Sequence, residues 1–310
     1  MAVFRPRNMN TNKNIIMNTP KRRFSVIGCG RVGICLAAFL FKKAYEPAGF
    51  FSRSKTSAQA ARTAAGCGTV FDTAAECARA GDIVFITTPD GLIESICGDL
   101  AQHNALGPKT MLFHLSGAHS SEILAQAKQA GAVVGSIHPL QSFTLYEPGQ
   151  ANPFEGINIS VEGDPDAVCQ GKDIAAALGA QAFAIPTESK TLYHASAVVA
   201  SNYLVTLVRF ALTLLMETGL REDVAFEILS PLIQGTLSNI GSKGCTRALT
   251  GPVVRGDHET VSRHLADIDE KIPQFSTLYR LLGTHTLDIA KAGEGLPEET
   301  EKILSKLFEM

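Results

Sequence analysis

Residues able to carry a proton cluster on one predicted helix in the second half of the chain. At about 100° per residue, Lys190, His194 and Ser201 fall within an arc of about 40°, and Asn202 lies about 80° from His194. The pKa of an ordinary imidazole is close to neutral, so His194 is suited to donate a proton to an oxygen or nitrogen atom of a ligand. Lys190 and Asn202 are further catalytic candidates, although a solvated first helical turn would also account for Lys190.

Three predicted strands end in polar segments, at the edge where an open parallel sheet binds its ligands. These segments are Thr87-Thr88-Pro89-Asp90, His114-Leu115-Ser116-Gly117-Ala118-His119 and His138-Pro139-Leu140-Gln141-Ser142-Phe143. The first segment as a whole predicts contacts with a cofactor, although Asp90 is equally suited to cap the next helix. The second predicts that Ser116 contacts both cofactor and substrate, and the third predicts that His138 takes part in proton transfer.

The histidines of these segments allow a second interpretation, which is a metal site. His114, His119 and His138 are accompanied by no carboxylate or cysteine at the spacing of a ligand set. Each histidine alone is more often structural than functional, and this holds more strongly for His119 than for His138. The sequence therefore predicts no metal.

Three glycines near the amino terminus have the spacing of a dinucleotide-binding turn. Residues 24–40 read FSVIGCGRVGICLAAFL, with Gly28, Gly30 and Gly33 between a β-branched run and an apolar helical pattern. Gly28 permits a tight turn, Gly30 lets a pyrophosphate approach the backbone, and Gly33 lets the helix pack on the strand. Free amides at the helix start then face the phosphates. The predicted cofactor-binding residues of this turn are Gly28, Cys29, Gly30, Arg31, Val32 and Gly33, with a purely structural turn as the alternative.

The residue about twenty positions beyond the glycines distinguishes NADP(H) from NAD(H). NAD-binding proteins place an acidic residue there, which binds the ribose 2′-hydroxyl. This chain has Arg53, between Ser52 and Ser54. A guanidinium pairs with a 2′-phosphate and the two hydroxyls add hydrogen bonds, whereas a carboxylate would repel it. The segment predicts NADP(H), with an ordinary polar loop as the alternative.

Length and composition indicate a globular chain of two domains. The chain has 310 residues, of which 45% are hydrophobic and 19% charged. Residues 1–23 contain Lys and Arg but no acidic residue, so the body is more acidic than the net charge of −2, which argues against a nucleic-acid partner. Residues 1–22 are predicted to be a disordered basic tail, with a transit peptide as the alternative. Met17 is a possible alternative start, which would place residues 1–16 outside the native protein.

The cysteines and the apolar runs favour a cytoplasmic protein. Seven cysteines are scattered along the chain without a CxxC pair, which predicts buried free thiols in a reducing compartment. The apolar runs are interrupted before the roughly 18 residues that a membrane span requires, so no membrane partner is predicted.

Strand and helix patterns alternate over the first 187 residues, which predicts a mostly parallel sheet with helices on both faces. After the first strand and helix, the predicted strands are 48–51, 69–71, 82–87, 111–115, 133–137, 157–161 and 182–185. The predicted helices of this part are 58–65, 73–79 and 120–130, with an Ala-rich helix between the last two strands.

Beyond Pro186 only helical periodicity is visible. The predicted helices are 188–218, 222–240, 259–266, 273–292 and 297–308, with loops near residues 219, 241–244 and 251–252. The predicted domains are therefore a tail (1–22), an NADP-binding α/β domain (23–187) and an all-α substrate and dimerisation domain (188–310). The seam between the last two is the predicted substrate cleft. Residues 248–257 (ALTGPVVRGD) predict either a simple turn or a substrate or dimer loop carrying Arg255 and Asp257.

Together these residues resemble the bacterial family of Rossmann-like proteins that carry a helical domain of unknown function. Proteins of that family are often named as deazaflavin-dependent NADP oxidoreductases. The matching segments lie between about residues 24 and 265 and read VIGCGRVG, FITTPD, HLSGAHSSEIL, SIHPLQSF, LYHASAVVASNYLV, PLIQGTLSNI and ALTGPVVRGD. The resemblance implies kinship with pyrroline-5-carboxylate reductase, ketopantoate reductase and β-hydroxyacid dehydrogenases. It implies an N-terminal Rossmann domain, NADP(H), and a helical domain that forms a homodimer.

The chain departs from these relatives at their catalytic positions. β-Hydroxyacid dehydrogenases have a catalytic Lys followed four residues later by Asn, whereas here Lys190 is followed by His194. We therefore expect an NADP(H)-dependent oxidoreductase that transfers hydride to or from a C=O or C=N carbon of a small molecule, with His194, Ser116 and His138 handling the proton. A ketopantoate-type 2-oxo acid reductase, relying on Lys190 and Asn202, is one alternative. A non-catalytic NADP(H)-binding sensor or partner protein is the other.

Overall fold

The computed structural model describes residues 22–43, 45–293 and 295–309. Almost all of the predicted basic tail lies outside these residues. Met17, the predicted alternative start, lies outside them as well. Arg22, the last residue assigned to the tail, instead begins the first strand. The chain divides into two compact units between Val198 and Val199.

The first unit is built on one eight-stranded sheet. Its strands are β1 (Arg22–Ile27), β2 (Tyr45–Phe51), β3 (Thr69–Val70), β4 (Ile83–Ile86), β5 (Met111–His114), β6 (Val133–Pro139), β7 (Asn158–Gly163) and β8 (Gln181–Ala184). The strand order is β3-β2-β1-β4-β5-β6-β7-β8. Neighbouring strands are parallel except β6 and β7, which are antiparallel. The first six strands have the order of a doubly wound dinucleotide-binding fold, whose strand order reverses between β1 and β4.

Helices cover both faces of this sheet. They are α1 (Arg31–Phe41), α2 (Lys55–Ala65), α3 (Ala74–Ala80), α4 (Ile93–Gln102), α5 (Ala125–Gln129), α6 (Pro165–Leu178) and α7 (Lys190–Val198). The central strands are apolar on both sides, as a sheet buried on both faces requires. Phe85 and Phe113 belong to a core on one face, and Val84 and Leu112 belong to a core on the other. The predicted fold class, a mostly parallel α/β domain followed by a helical domain, is confirmed.

Several predicted boundaries in this unit are wrong for identifiable reasons. The second strand starts at Tyr45, because an irregularity in the pairing of β1 with β2 accommodates Pro47 within the strand. The predicted helix 120–130 is a 3-10 turn (Ser121–Leu124) followed by the short α5. The helix after β4 is a 3-10 turn (Asp90–Leu92) that continues as α4.

The division between the units falls inside the helical segment that the sequence analysis assigned wholly to the second domain. The reason is that α7 packs on the sheet of the first unit. Lys190 contacts Ser136 on β6, and Tyr193 contacts both His138 on β6 and Phe183 on β8. Residues 190–198 therefore belong with the sheet.

The second unit is entirely helical in the residues that the structure describes. It begins with a π-helical turn (Val199–Tyr203), followed by α8 (Leu204–Met216), α9 (Glu222–Ala248), α10 (His258–Lys271), α11 (Ser276–Lys291) and α12 (Glu298–Phe308). One core joins α10, α11 and α12 through Val261, Leu287 and Leu304. The ring of Phe308 occupies the space beside Gly283, where a Cβ would lie 2.6 Å from Cζ.

Three helices of this unit differ from their prediction, the first being α10, which runs to Lys271 and not to residue 266. The predicted helix 188–218 is interrupted by the π-helical turn. Helix α9 runs past the predicted loop at 241–244, because only Gly244 leaves helical geometry, at φ 76° and ψ 165°. A glycine adopts this conformation without steric cost, so the chain kinks there and then resumes its helix.

The helical run Thr187–Met216 is apolar enough and long enough to cross a membrane by length and composition, with a mean hydropathy of 1.7. The prediction that the apolar runs end before the length of a membrane span does not hold for this helical run. Only 11% of its most apolar window is buried. Large apolar side chains are also exposed on α8 and α9, among them Val205 (69%), Phe226, Ile228 and Leu232 (68%).

All seven cysteines are free thiols. The expectation of burial is confirmed for Cys29, Cys35, Cys77 and Cys97. It is wrong for Cys169 on α6 and Cys245 on α9, which are exposed.

Candidate active site

The glycine turn lies at the carboxyl end of β1, between β2 and β4. Gly28 has a φ of +97°, and its amide donates a hydrogen bond of 2.8 Å to the carbonyl of Phe51 on β2. A Cβ on Gly28 would lie 2.6 Å from Cγ2 of Thr88, and a Cβ on Gly33 would overlap the Gly28 carbonyl oxygen. Close packing of α1 and the segment after β4 against the turn therefore requires both glycines.

Gly30 differs, because a Cβ there would meet no protein atom within 4 Å. Gly30 is the N-cap of α1, and no side chain among the described residues caps this helix. The first intrahelical bond runs from the amide of Ile34 to the carbonyl of Gly30, so the three amides before Ile34 have no acceptor within the helix. The helix start therefore presents free N–H groups and a partial positive charge to open space.

A pocket of about 330 Å³ opens over this turn, where the ends of β1, β2 and β4 meet. Its lining includes every predicted cofactor-binding residue except Arg31, Val32, Gly33, Asp90 and Ser116. Five further lining residues were not predicted from the sequence, namely Ile27, Phe51, Ser57, Leu92 and Ile96. Ser57 is polar, whereas Leu92 and Ile96 form an apolar wall.

The segment after β2 forms another wall of this pocket. The side chain of Ser54 caps α2 by accepting a hydrogen bond of 3.4 Å from the amide of Ser57. Lys55 is paired with Asp72 at 2.6 Å. Arg53 is exposed and pairs with no carboxylate in the part of the chain that the structure describes, so its guanidinium is available to an anion.

A second cluster lies at the carboxyl ends of β5 and β6, where two imidazoles converge on Gly117. A Cβ on Gly117 would lie 2.5 Å from Nδ1 of His194 and 2.7 Å from Nε2 of His138. The two rings meet edge to face with their centroids 6.0 Å apart. Nδ1 of His194 is buried without a hydrogen-bond partner among the described residues. Both ring nitrogens thus lie against Gly117, at a position where any side chain would clash with them.

His138 is neutral at physiological pH. Burial, together with the positive charges of Lys190 and His194, lowers its pKa to about 4, and Asp90 opposes this only in part. Its Nδ1 lies 2.7 Å from the hydroxyl of Tyr193. A neutral imidazole carries one N–H and one acceptor nitrogen, so His138 can donate or accept a hydrogen bond but does not store a positive charge.

His114 has a structural role. Its Nδ1 accepts a hydrogen bond from the amide of Ser116, so its Nε2 carries the proton and donates to the carbonyl of Ser120. Burial, followed by the charge of Lys190, lowers its pKa to about 3. Among the described residues, no three His, Cys, Asp or Glu side chains are grouped as metal ligands.

Ser116 shapes the turn that carries Gly117. Its Oγ accepts hydrogen bonds of 3.1 Å from the amides of both Ala118 and His119. The serine is 5% exposed, and it lines no part of the nucleotide pocket. The oxygen predicted to handle a proton is therefore engaged in holding the turn.

Lys190 is buried in a polar row that crosses three strands. His114, Ser136 and Glu162 are neighbours across β5, β6 and β7, and all three are buried. The Lys190 ammonium donates a hydrogen bond of 2.7 Å to Oγ of Ser136 and is 1% exposed. Burial lowers the pKa of Lys190 to about 8, although the carboxylates of Glu162 and Asp90 oppose the shift.

Glu162 is held by donors from two other segments. Its carboxylate accepts hydrogen bonds of 2.8 Å from both the amide and the hydroxyl of Ser121, and one of 3.0 Å from the hydroxyl of Thr187. The sequence analysis missed Ser136, Glu162 and Tyr193. A polar residue within a β-branched strand, as in VVGSIHP and NISVEG, was the available signal.

The remaining candidates lie elsewhere. Asp90 forms no side-chain cap on the turn that it begins. Ser201 and Asn202 belong to the second unit, where both are exposed on the π-helical turn. Asp257 caps α10 by accepting a hydrogen bond of 3.0 Å from the amide of Thr260.

Comparison with protein families matches both parts of the chain. Residues 8–139 match the Rossmann-like domain, and residues 157–286 match a domain of unknown function, DUF2520. A comparison with curated protein sequences gives no match.

Solved structures of similar fold cover most of the chain. Protein TM1727 from Thermotoga maritima is 28% identical, with a TM-score of 0.68 over 87% of this chain and 98% of its own. BF3122 from Bacteroides fragilis, provisionally named an NADP oxidoreductase, is 20% identical, with a TM-score of 0.67 over 87% of this chain and 99% of its own. An imine reductase variant from Myxococcus stipitatus, in complex with NAD+, is 14% identical, with a TM-score of 0.61 over 93% and 100%. The chain thus joins a Rossmann-like domain to a DUF2520 domain, which is the combination that the sequence predicts.

Proposed function

We propose that this chain is an NADP(H)-dependent oxidoreductase that transfers hydride to or from a C=O or C=N carbon of a small metabolite. The observation that carries the proposal is the pocket over the glycine turn. It lies where the strand order reverses, and it combines free helix amides with an unpaired arginine. The similar folds named as an NADP oxidoreductase and an imine reductase support the same reaction class.

The residues present fit such a cofactor. The first amides of α1 would bind the pyrophosphate over Gly30. A Cβ on Gly30 would meet no protein atom within 4 Å, so this space is open to a ligand. Arg53, with Ser52 and Ser54, would bind a 2′-phosphate, and the segment from Thr87 to Asp90 would border the rest of the dinucleotide. When bound, NADP(H) supplies or accepts the hydride.

The protein's own part in the reaction is to orient the substrate and to manage one proton. When hydride adds to the carbon, the C=O or C=N electron pair moves to the heteroatom, which must then take a proton. We assign His194 as the proton donor, because its Nδ1 is unpartnered beside Gly117. We assign His138 as the hydrogen-bond donor to the same heteroatom.

The position of Lys190 favours this proposal over a 2-oxo acid reductase that depends on Lys190 and Asn202. The ammonium of Lys190 is directed to Ser136 inside the sheet and is almost fully buried. In this proposal the positive charge of Lys190 lowers the pKa of His138, and Lys190 does not contact the substrate.

Exposed apolar residues on α8 and α9 support a homodimer. Val205, Phe226, Ile228 and Leu232 are all more than a third exposed, within one helical unit. A second copy of the chain presents the same surface, so a two-fold interface would cover both copies at once.

Calorimetry and turnover measurements test the enzymatic proposal. We expect heat of binding with NADPH, weaker binding with NADH, and oxidation of NADPH with at least one member of a panel of ketones, 2-oxo acids and cyclic imines. His194→Ala should keep NADPH binding and lose turnover. No heat with either coenzyme would contradict the proposal, and binding without turnover on any substrate would support the sensor function instead.

A further inference from the structure

The two ring nitrogens of His138 have different surroundings. Nδ1 lies 2.7 Å from the hydroxyl oxygen of Tyr193, one turn into the helical segment that packs on β6. Nε2 faces Gly117, where a Cβ would lie 2.7 Å away. Because His138 is neutral, one nitrogen carries the proton and the other accepts, and the partner of one nitrogen decides the state of both. The Tyr193 contact therefore sets what Nε2 can do.

The direction of the Tyr193 hydrogen bond follows from the acidity of the two groups. Burial raises the pKa of Tyr193, with the neighbouring Ser160 hydroxyl opposing part of the shift, so the phenol keeps its proton at neutral pH. A phenol is a stronger donor than a neutral imidazole, and the unprotonated imidazole nitrogen is a stronger acceptor than a phenol oxygen. The Lys190 ammonium, 5.5 Å from the Tyr193 ring centroid, strengthens the phenol further as a donor.

We propose that Tyr193 is a positioning residue: its hydroxyl donates to Nδ1 of His138 and holds that ring in the neutral Nε2–H tautomer. The proton is then on the nitrogen that lies beside Gly117, where Nδ1 of His194 also lies. The catalytic consequence rests on the proposed function, because a neutral N–H at this point polarises a carbonyl or imine without giving up its proton. His138 then donates a hydrogen bond and His194 delivers the proton.

The same environment accounts for the stability of this tautomer. The charged or titratable groups that influence His138 are Lys190 and His194 on α7 and Asp90 after β4. The charges of Lys190 and His194 disfavour a second proton on His138. Tyr193 then selects which nitrogen keeps the single proton.

Nitrogen-15 NMR of the full-length protein with labelled histidine tests the tautomer directly. We expect His138, assigned by its loss in His138→Asn, to show a protonated Nε2 and an unprotonated Nδ1 at pH 7.5. In Tyr193→Phe this pattern should change toward a mixture of both tautomers. A protonated Nδ1 in the wild type, or an unchanged spectrum in Tyr193→Phe, would overturn the proposal. This readout needs neither cofactor nor substrate, so its failure is separate from a failure of the proposed function.

Kinetics test the consequence, with a second tyrosine–histidine pair as the matched control. Tyr193→Phe should lower kcat by about tenfold and leave the KM for NADPH unchanged, since one hydrogen bond that acts during reduction is lost. Tyr279 bonds Nδ1 of His264 at 2.9 Å within the helical unit, so Tyr279→Phe removes an equivalent tyrosine–histidine bond that does not involve His138 and should leave kcat unchanged. Equal losses in both variants, or a change in KM alone, would refute a positioning role.

Discussion

The ammonium of Lys190 donates a hydrogen bond of 2.7 Å to the hydroxyl of Ser136, and both side chains are buried. A lysine in this position keeps its charge away from solvent, which disfavours its protonated form. Lys190, a catalytic candidate in the sequence, is therefore a source of pH-dependent stability.

Replacing Lys190 by Met should change the pH dependence of unfolding. The pKa of Lys190 is about 8 in the folded protein, against an ordinary value of 10.5. Between these values the unfolded chain binds more protons, so the wild type should gain about 3 kcal/mol of unfolding free energy relative to Lys190→Met as pH rises from 8 to 10.5. Urea titrations at several pH values measure this difference. Lys302→Met, at an exposed site, is the control, and a constant difference between wild type and Lys190→Met would contradict the assignment.

Gly33→Ala should lower the thermal stability, whereas Gly30→Ala should weaken NADPH binding. A Cβ at Gly33 would overlap the Gly28 carbonyl, so Gly33→Ala should lower the Tm, whereas Gly30→Ala has free space and should leave the Tm unchanged. We expect Gly30→Ala to weaken NADPH binding instead, because the methyl group would occupy the space of the pyrophosphate. Thermal unfolding and calorimetry on the two variants separate these effects. Full NADPH affinity in Gly30→Ala would place the phosphates elsewhere.

Arg53→Asp should discriminate between the two coenzymes. Loss of a charge-assisted hydrogen bond to a 2′-phosphate, together with repulsion by the new carboxylate, should weaken NADPH binding by about 10- to 100-fold. NADH has no 2′-phosphate and should be affected little. Fluorescence titration measures both, with Arg62→Asp, at an exposed position near the end of α2, as the control. Equal weakening of NADPH and NADH would refute the role of Arg53.

A charge on the exposed apolar surface of the second unit should dissociate the proposed dimer. We expect the wild type to have the mass of two chains in size-exclusion chromatography with light scattering, and Val205→Asp or Leu232→Asp to have the mass of one. Arg263→Asp, at an exposed polar position on α10, should remain dimeric. A wild type that runs as a monomer would argue that another partner covers this surface.

The sequence predicts the sheet well because its signals are local. The central strands β4 and β5 are short, mostly apolar runs that follow Asp82 and Thr110. The spacing of the glycine turn is fixed by backbone packing that involves Gly28 and Gly33. The pocket over that turn could be anticipated for the same reason, since the ends of β1, β2 and β4 must meet at one edge of a parallel sheet.

The second cluster could be predicted only in part. The contact of His138 with Tyr193 and that of Lys190 with Ser136 depend on how α7 packs on β6, which no local pattern encodes. The predicted arc assumed α-helical spacing throughout, whereas residues 199–203 form a π-helical turn, which holds more residues per turn. Glu162 joins the buried row through the antiparallel pairing of β7.

The distribution of thiols has a practical consequence for work on this protein. Burial raises the pKa of Cys29 and of Cys77 to about 12, so neither forms the thiolate that alkylating reagents require. Cys169 and Cys245 are open to such reagents. A maleimide dye can therefore be attached to the native sequence on either helix while Cys29 in the glycine turn stays unmodified.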